Sequence, residues 1–440
     1  PSTANVDRMS SALSESRQMT TWNIENYFTF NKIFGAHSVM ALLGQSAEGI
    51  TSKYSSMEGR YLSSDYIHVV NGVSKDNLTA YSGIEEAKAA SFFARASYIF
   101  KDRYSISSSI RTDGSSRFGS NQRWGTFPTA SAFWLVSEEP FMNNLKDVVS
   151  LLKFRGSWGK SGSLPSGFNG HHNRYMAASS TYDGGGAIIP NFADGIAQKE
   201  LTWEETKEWD LGMDLEFLNG RFTLIADIYN KEKHGIFYSF MLPKTSGYEK
   251  YYTNAVAVRN AGVELALVAR VLPATSKWQW NINANISYNK NQIMQLPDGN
   301  KTVVEDNRYL MVGQPINSFR LSQYNGIYLN EDMIPFDPYT GLKYKNESGQ
   351  YVQVGWADYE DVEYVSWKDK KPIGDPNPKW VGGLNTNLSY GPWSLFVQTS
   401  FTLGRDILNT QFAKTMAPLS AQYGADEEGV GFSGGPGANY

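Results

Sequence analysis

Hydrophobic and polar positions alternate along most of this chain. Between Trp278 and Asn289, Trp278, Trp280, Ile282, Ala284, Ile286 and Tyr288 alternate with Gln279, Asn281, Asn283, Asn285, Ser287 and Asn289. A period of two places successive side chains on opposite faces of a β-strand. The same alternation runs through Phe92–Phe100, Tyr104–Arg111, Asp210–Phe217, Phe222–Tyr229, Val263–Arg270 and Trp393–Thr402. It predicts strands at about 19–30, 37–49, 88–100, 103–112, 125–137, 150–159, 203–218, 221–236, 255–270, 277–289, 379–390 and 393–404.

A soluble sandwich also alternates, so the strand ends and connections must decide. Crossing the hydrocarbon of a bilayer takes about nine to eleven tilted residues. Trp and Tyr favour the two membrane interfaces, where the ring sits in lipid and the N–H or O–H reaches water. The strand from Trp278 has aromatic ends, a short aliphatic middle and an amide face, which suits lipid outside and water inside. Short links recur at Lys101–Arg103, Asn219–Gly220, Leu272–Ser276 and Gly391–Pro392, and Asn-Gly is a strong hairpin signal. Long polar loops are expected at about 50–87, 113–124, 160–202, 237–254 and 290–378. Residues 138–149 read as a short helix with Ser137 as its N-cap. Short links inside hairpins and long loops between them give the two ends of the sheet different characters. An outer-membrane barrel has this asymmetry, with short periplasmic turns and long extracellular loops.

Composition narrows the classes. The 440 residues include 40 Gly and no Cys, and 14% are aromatic. Disulfides and Cys-ligated metals are therefore excluded. The balance of 40 basic and 44 acidic side chains, net −4, argues against nucleic-acid binding. A mean hydropathy of −0.41 is compatible with a barrel, because only alternate residues face lipid. No apolar run is long enough for a transmembrane helix. The chain opens PSTANVDRMS and stops at the Gly-rich GFSGGPGANY, and is expected to be a piece of a longer protein.

Candidate chemistry is sparse. His171 and His172 are adjacent, so on an extended chain they point apart and chelate poorly. Neither a Gly-x-Ser-x-Gly elbow nor a His-Glu-x-x-His is present, and the regularly spaced carboxylates Asp210, Asp214, Glu216 and Asp227 suit a polar lumen. The reading is therefore not an enzyme, with no cofactor and no metal. Arg111, Asp113, Arg117 and Arg123 interleave with Phe118 and Trp124. They are read as structural, with a turn at Asp113–Gly114; gripping a ligand or a plug is the other possibility. The long loops are rich in Tyr, Trp and Asn, and loops on a rigid scaffold usually carry recognition. No single residue stands out as a ligand contact.

From Arg111 the chain reads RTDGSSRFGSNQRWGTFPTASAFWLVSEEPFM, followed by LKFRGSWGKSG from Leu152 and LTWEETKEWDLGMDLEFLNGRFTLIADIYNKEK from Leu201. VRNAGVELAL starts at Val258, VGQPINSF at Val312, IGDPNPKWVGGLNTNLSY at Ile373 and GRDILN at Gly404. This ordered set resembles the SusC/RagA family of TonB-dependent outer-membrane transporters. The resemblance implies an all-β, antiparallel transmembrane barrel of 22 strands with an N-terminal plug. About twelve of those strands are expected in residues 1–440, without the plug, the TonB box or the closing strands. It also implies import of a large nutrient, an oligosaccharide or glycan or a peptide, at the bacterial outer membrane. The implied partners are a SusD-like lipoprotein lid, the TonB complex, outer-membrane lipid and the remainder of the barrel. A passive diffusion porin and a structural or adhesive surface barrel remain the alternatives. Asp113, Gly114, Arg117, Trp124, Pro128, Asn260, Gly262, Glu264 and Pro378 are the family-motif residues, taken as structural. Relatives often carry an Asn-Gly-Asp-Gly loop before IGDPNP. Here Asp358, Glu360, Asp361 and Glu363 occupy that region without a glycine turn, so an acidic solvated loop is expected, not a calcium site.

Overall fold

The structure is a computed structural model. It describes residues 10–409 and 411, apart from 63, 65, 67, 166, 168–169, 173–174, 179–186, 192–194, 306–307, 320–323, 337–340, 344, 346–349 and 360–373. Twelve strands form one sheet in chain order. They are β1 (Ser11–Phe34), β2 (His37–Arg60), β3 (Leu78–Phe100), β4 (Tyr104–Ser115), β5 (Trp124–Leu135) and β6 (Val149–Ser163). The others are β7 (Glu204–Phe217), β8 (Phe222–Met241), β9 (Lys250–Arg270), β10 (Trp278–Gln295), β11 (Trp380–Tyr390) and β12 (Trp393–Leu403). The order ends at β1 and β12, whose outer edges pair with no strand among the described residues. Helices long and apolar enough to cross a membrane are absent among the described residues.

All twelve expected strands are present, and several run further than the alternation reaches. The expected loop 50–87 narrows to 61–77, 113–124 to 116–123, and 237–254 to 242–249. β1 and β2 pair continuously from Phe34↔His37 to Ser11↔Arg60. Beyond the hydrocarbon both faces of a strand meet water, so the apolar signal fades, while each backbone N–H and C=O still needs a partner. The ladder therefore continues through polar stretches such as Ser11–Thr21.

Two links also differ from expectation. Residues 138–149 hold no α-helix. Two 3-10 turns, Val136–Glu138 and Pro140–Leu145, occupy the segment, and Ser137 is buried in the first of them. Glu139 takes the N-terminal cap position and Pro140 the first turn, where its missing N–H does no harm. The Asn219–Gly220 turn widens to Leu218–Arg221, with positive φ at Leu218, Asn219 and Gly220. Leu218 N–H donates to Val148 O at 2.7 Å, and Arg221 O accepts from Arg270 N–H at 2.7 Å. Neighbouring strands thus hold both ends of the link, and a two-residue turn could not reach both.

The chain divides into two compact units. Unit 1 comprises Pro1–Leu135, Arg155–Glu208 and His234–Asn254, and unit 2 comprises Val136–Phe154, Trp209–Lys233 and Ala255–Tyr440. In unit 2, strand pairing lays the alternating residues into rows. Trp278, Tyr390 and Trp393 share one row, and Tyr288, Trp380 and Leu403 share another. Trp278 and Tyr390 rings lie 4.7 Å apart, and those of Tyr288 and Trp380 4.9 Å. Ten residue steps of about 3.3 Å, tilted about 40°, separate these rings by about 25 Å, the height of a barrel's apolar band. Between them lie Ile282, Thr386 and Val397, then Ala284, Leu384 and Thr399. The opposite face carries Asn283, Asn385 and Gln398 in one row, and Asn285, Gly383 and Ser400 in the next. In unit 1, Phe34, His37, Phe100, Tyr104 and Trp134 form a corresponding aromatic row next to the short links.

Candidate functional site

At the long-loop end of unit 1 the polar face carries a hydrophobic core. Phe127 faces inward there, in register with Arg111 and Phe93. Phe118, Leu201 and Trp203 close over it, and all four are buried. Trp203 packs against Phe118 at 4.7 Å with the rings tilted and meets the edge of Phe127 at 5.3 Å, while its indole N–H donates to Arg123 O at 3.1 Å. The Phe127 ring fills the space a Cβ would need at Gly125 and at Gly162, which accounts for both glycines.

Asn254 ties the neighbouring strands to this core. Its Oδ1 accepts from Thr202 N–H at 3.2 Å, and its Nδ2 donates to Thr202 O at 3.1 Å and to Gly235 O at 2.8 Å. One amide thus satisfies three backbone groups. Asn254→Ala is expected to lower stability by about 1–3 kcal/mol, because three part-buried groups lose their partner. Hydrogen exchange should rise at the Thr202 amide first; unchanged protection there would rule the clamp out.

A second knot lies in unit 2. The stretches from Val312, Ile373 and Gly404 are far apart in sequence and meet here. Phe319 N–H donates to Gly374 O at 3.3 Å, and Asn377 Nδ2 to Ile316 O at 3.1 Å. Asp406 Oδ2 accepts from Asp375 N–H at 2.7 Å, and Asp406 N–H donates to Asp375 O at 2.7 Å. Asn291 Oδ1 accepts from Ile316 N–H at 2.8 Å and so fastens the knot to β10. On the polar face of the same unit, a recess of about 700 Å³ is lined by Asp227, Glu264, Asn283, Asn285, Asn385 and Gln398, among others. It offers carboxylate and amide groups to a polar surface or to water.

A sheet with an aromatic-bounded apolar face, an amide face and knotted loops at one end has the features of a large barrel wall. The family model described as TonB dependent receptor-like, beta-barrel, matches residues 3–415. The chain belongs to that family. Barrels of the TonB-dependent receptor family sit in the bacterial outer membrane, as the motif resemblance anticipates. TonB-dependent receptor P3 of Formosa agariphila is 27% identical over 414 residues, which cover 90% of this chain and 40% of that protein. TonB-dependent receptor SusC of Bacteroides thetaiotaomicron is 30% identical over 311 residues, 68% of this chain and 30% of that protein. The structure of the RagAB peptide transporter superposes with a TM-score of 0.70 at 22% identity, over 89% of this chain and 42% of that chain, so it shares the fold. The chain spans about two fifths of the length of the curated relatives that it matches over most of its own length.

In this TonB-dependent receptor barrel the motif residues fall into several local groups. Asp113 accepts from Arg111 Nε at 2.7 Å on the polar face, and Arg111 also donates to Ser91 Oγ at 2.9 Å. The expected turn at Asp113–Gly114 does not form. Both residues belong to β4, paired with β3 on one side and β5 on the other. Gly114 is required there because the Trp124 indole, paired across from it, occupies its Cβ space. Trp124 stacks on Phe92 at 6.2 Å, and Pro128 lies opposite Ile110 on the apolar face.

Arg117 Nη1 donates to Pro165 O at 2.8 Å. Arg117 O lies 3.1 Å from His171 Nδ1, and because a carbonyl only accepts, that nitrogen carries the proton. Burial first, and His172 second, hold the His171 imidazole below its ordinary pKa. The two imidazoles pack with ring centres 3.9 Å apart. Groups of three or more metal-ligating side chains are absent among the described residues. Asn260 Oδ1 accepts from Asn289 Nδ2 at 3.2 Å and from Asn291 Nδ2 at 2.9 Å. A Cβ at Gly262 would meet Tyr288 O and the Tyr229 ring. Glu264 lines the polar recess, and Pro378 follows Asn377 in the unit 2 knot. Of the acidic loop, Glu360, Asp361 and Glu363 lie outside the described residues.

Sequence reasoning missed Asn254, and it reached Leu201 and Asp406 only as members of quoted motifs, with no contact assigned to either. Asn254 stands in a polar stretch and Leu201 at a loop end, so neither carries a periodic signal. Their partners are far along the chain: Asn254 bonds Thr202, 52 positions away, Asp406 bonds Asp375, 31 away, and Leu201 packs in one cluster with Phe118 and Phe127.

Proposed function

We propose that this chain forms wall strands and outer loops of an importer for a large nutrient, an oligosaccharide or a peptide, driven by TonB. The observation that carries the proposal is the match of one family model to residues 3–415, together with an open twelve-stranded sheet. Open edges cannot stand in hydrocarbon, where each unpaired N–H and C=O costs several kcal/mol. Residues 1–440 therefore belong to one barrel domain, and about ten further strands and a plug come from the rest of the polypeptide. A SusD-like lipoprotein covers the long-loop end, and the TonB complex acts through another part of the receptor. The name of the RagAB peptide transporter, a neighbour in fold, supports the peptide class, and the motif resemblance to the SusC/RagA family supports both. The motif residues shape the wall and loops, and catalysis, cofactor and metal have no part in the proposal. Uptake of labelled oligosaccharides and peptides by cells carrying the full receptor tests it. Uptake should vanish without TonB; uptake that persists would identify a passive porin instead.

Orientation follows from the same proposal. The links at 101–103, 218–221 and 391–392 face the periplasm and the longer loops face outward. A tag at Gly247, in the link 242–249 with open space around it, should be labelled on intact cells. One at Gly220 should be protected. The reverse pattern would invert the topology and leave the barrel standing.

A further inference from the structure

Between the rows of Trp124 and Trp134, the membrane-facing side of β1–β5 carries a single lysine, Lys32. Between those rows the register puts Ile24 to Phe34 of β1, His37 to Ala47 of β2, Ala90 to Phe100 of β3, Tyr104 to Gly114 of β4 and Trp124 to Trp134 of β5 on this face, at every second residue; Lys88 lies one row further out, opposite Gly49. Apart from Lys32 and the titratable His37, these positions are apolar, aromatic or uncharged polar, and none is a carboxylate. Lys32 pairs with Val39, one row in from the aromatic row of Phe34, His37, Phe100, Tyr104 and Trp134. A lysine facing lipid costs about 2–4 kcal/mol at mid-membrane and falls towards about 0–1 kcal/mol near an interface. Its ammonium needs an anion or water, and at this height phosphate supplies the anion.

Beside Lys32 the surface is hollow. A recess of about 360 Å³ is lined by His37, Tyr98, Phe100, Tyr104, Ser105 and Ile106. His37 Nδ1 and the Tyr98 hydroxyl lie 2.6 Å apart at its rim. His37 is the diagonal cross-strand neighbour of Lys32, about 7–8 Å away in an antiparallel pair. Lys101 Nζ sits 5.2 Å from the Phe100 ring centre, on the side of the short link. Two ammonium groups and an imidazole–phenol pair thus border one apolar hollow. Further from the short links the next row runs from Phe30 to Ala41, Ala96, Ser108 and Ala130, and its last four members make a lane of small side chains.

We propose that this is a binding site for one phospholipid of the periplasmic leaflet. The phosphodiester lies against Lys32 and Lys101, the hydrogen-bonded His37–Tyr98 pair donates its one remaining proton to a phosphate oxygen, and one acyl chain enters the recess and follows the lane. The leaflet assignment rests on the orientation proposed above, and the headgroup chemistry does not.

The test uses the full receptor, extracted from its own outer membrane in mild detergent. Retained lipid is identified and quantified by native mass spectrometry. A lysine at an anionic lipid surface is worth about a fivefold change in binding, so Lys32→Gln should lower retained phospholipid about fivefold and the Lys32→Gln/Lys101→Gln pair about 25-fold. Ile106→Trp, which fills the recess without touching a charge, should lower it as well. Heat-modifiability on gels reports that each barrel remains folded. Equal retention in wild type and the double variant overturns the site, even with the Gly220 tag protected. Retention of lipid A in place of phospholipid, with that tag exposed, overturns the leaflet and the orientation together.

Discussion

Trp203→Ala is expected to open the long-loop end of unit 1 and to destabilise it by about 3–5 kcal/mol, the range for truncating a buried Trp. Three effects add. The indole leaves a void against Phe118 and Phe127. Arg123 O loses the indole N–H and keeps only Ser115 N–H as a donor. Thr202, next in the chain, is the residue that Asn254 holds on both sides, so the clamp slackens too. Urea unfolding of the full receptor in detergent, followed with proteolysis around 164–203, measures the loss. A change within about 0.5 kcal/mol, as for an ordinary surface substitution, would remove Trp203 from the centre of this core.

The second large effect separates the two faces of β10. Ile282 lies four residues from Trp278 and six from Tyr288, near the middle of the band, and pairs with Ala269 and Thr386. An arginine there faces hydrocarbon and costs about 2–4 kcal/mol. Asn283, one residue on, pairs with Val268 and Asn385 and lines the polar recess. An arginine at Asn283 keeps its charge in water. Ile282→Arg should therefore fail to assemble into the outer membrane while Asn283→Arg assembles normally, as read by heat-modifiability and surface labelling. Equal tolerance of both would sink the face assignment.

Both predictions draw on the structure, and they differ in how far the sequence anticipated them. The faces of β10 are visible in the alternation of twelve residues, because a strand repeats every two positions whatever lies beside it. Pairing confirms the alternation and supplies the rows, such as Asn283 with Asn385 and Gln398. The core around Trp203 could not be read this way. Phe127 sits on the polar face, where alternation predicts a wet side chain, and it is buried because Phe118, Leu201 and Trp203 arrive from other parts of the chain. Gly114 is legible as a motif glycine, and its place after Asp113 predicts a turn. The structure places it in a strand, and the reason is the Trp124 ring across the ladder.

By itself, the sequence determined the class of fold, the twelve strands, the alternation of their two faces and the family. These follow from local periodicity, from aromatic residues about ten positions apart, and from ordered motifs, all of which survive without knowledge of contacts. Tertiary structure decided where strands stop, which is beyond the apolar band. Backbone groups must pair even where both faces are wet, so β1 and β2 keep their ladder to Ser11 and Arg60. It also decided which distant segments meet, as when Gly374 packs against Phe319 and Asp406. Such meetings depend on the path of the loops in space, and no periodicity along one strand encodes that path.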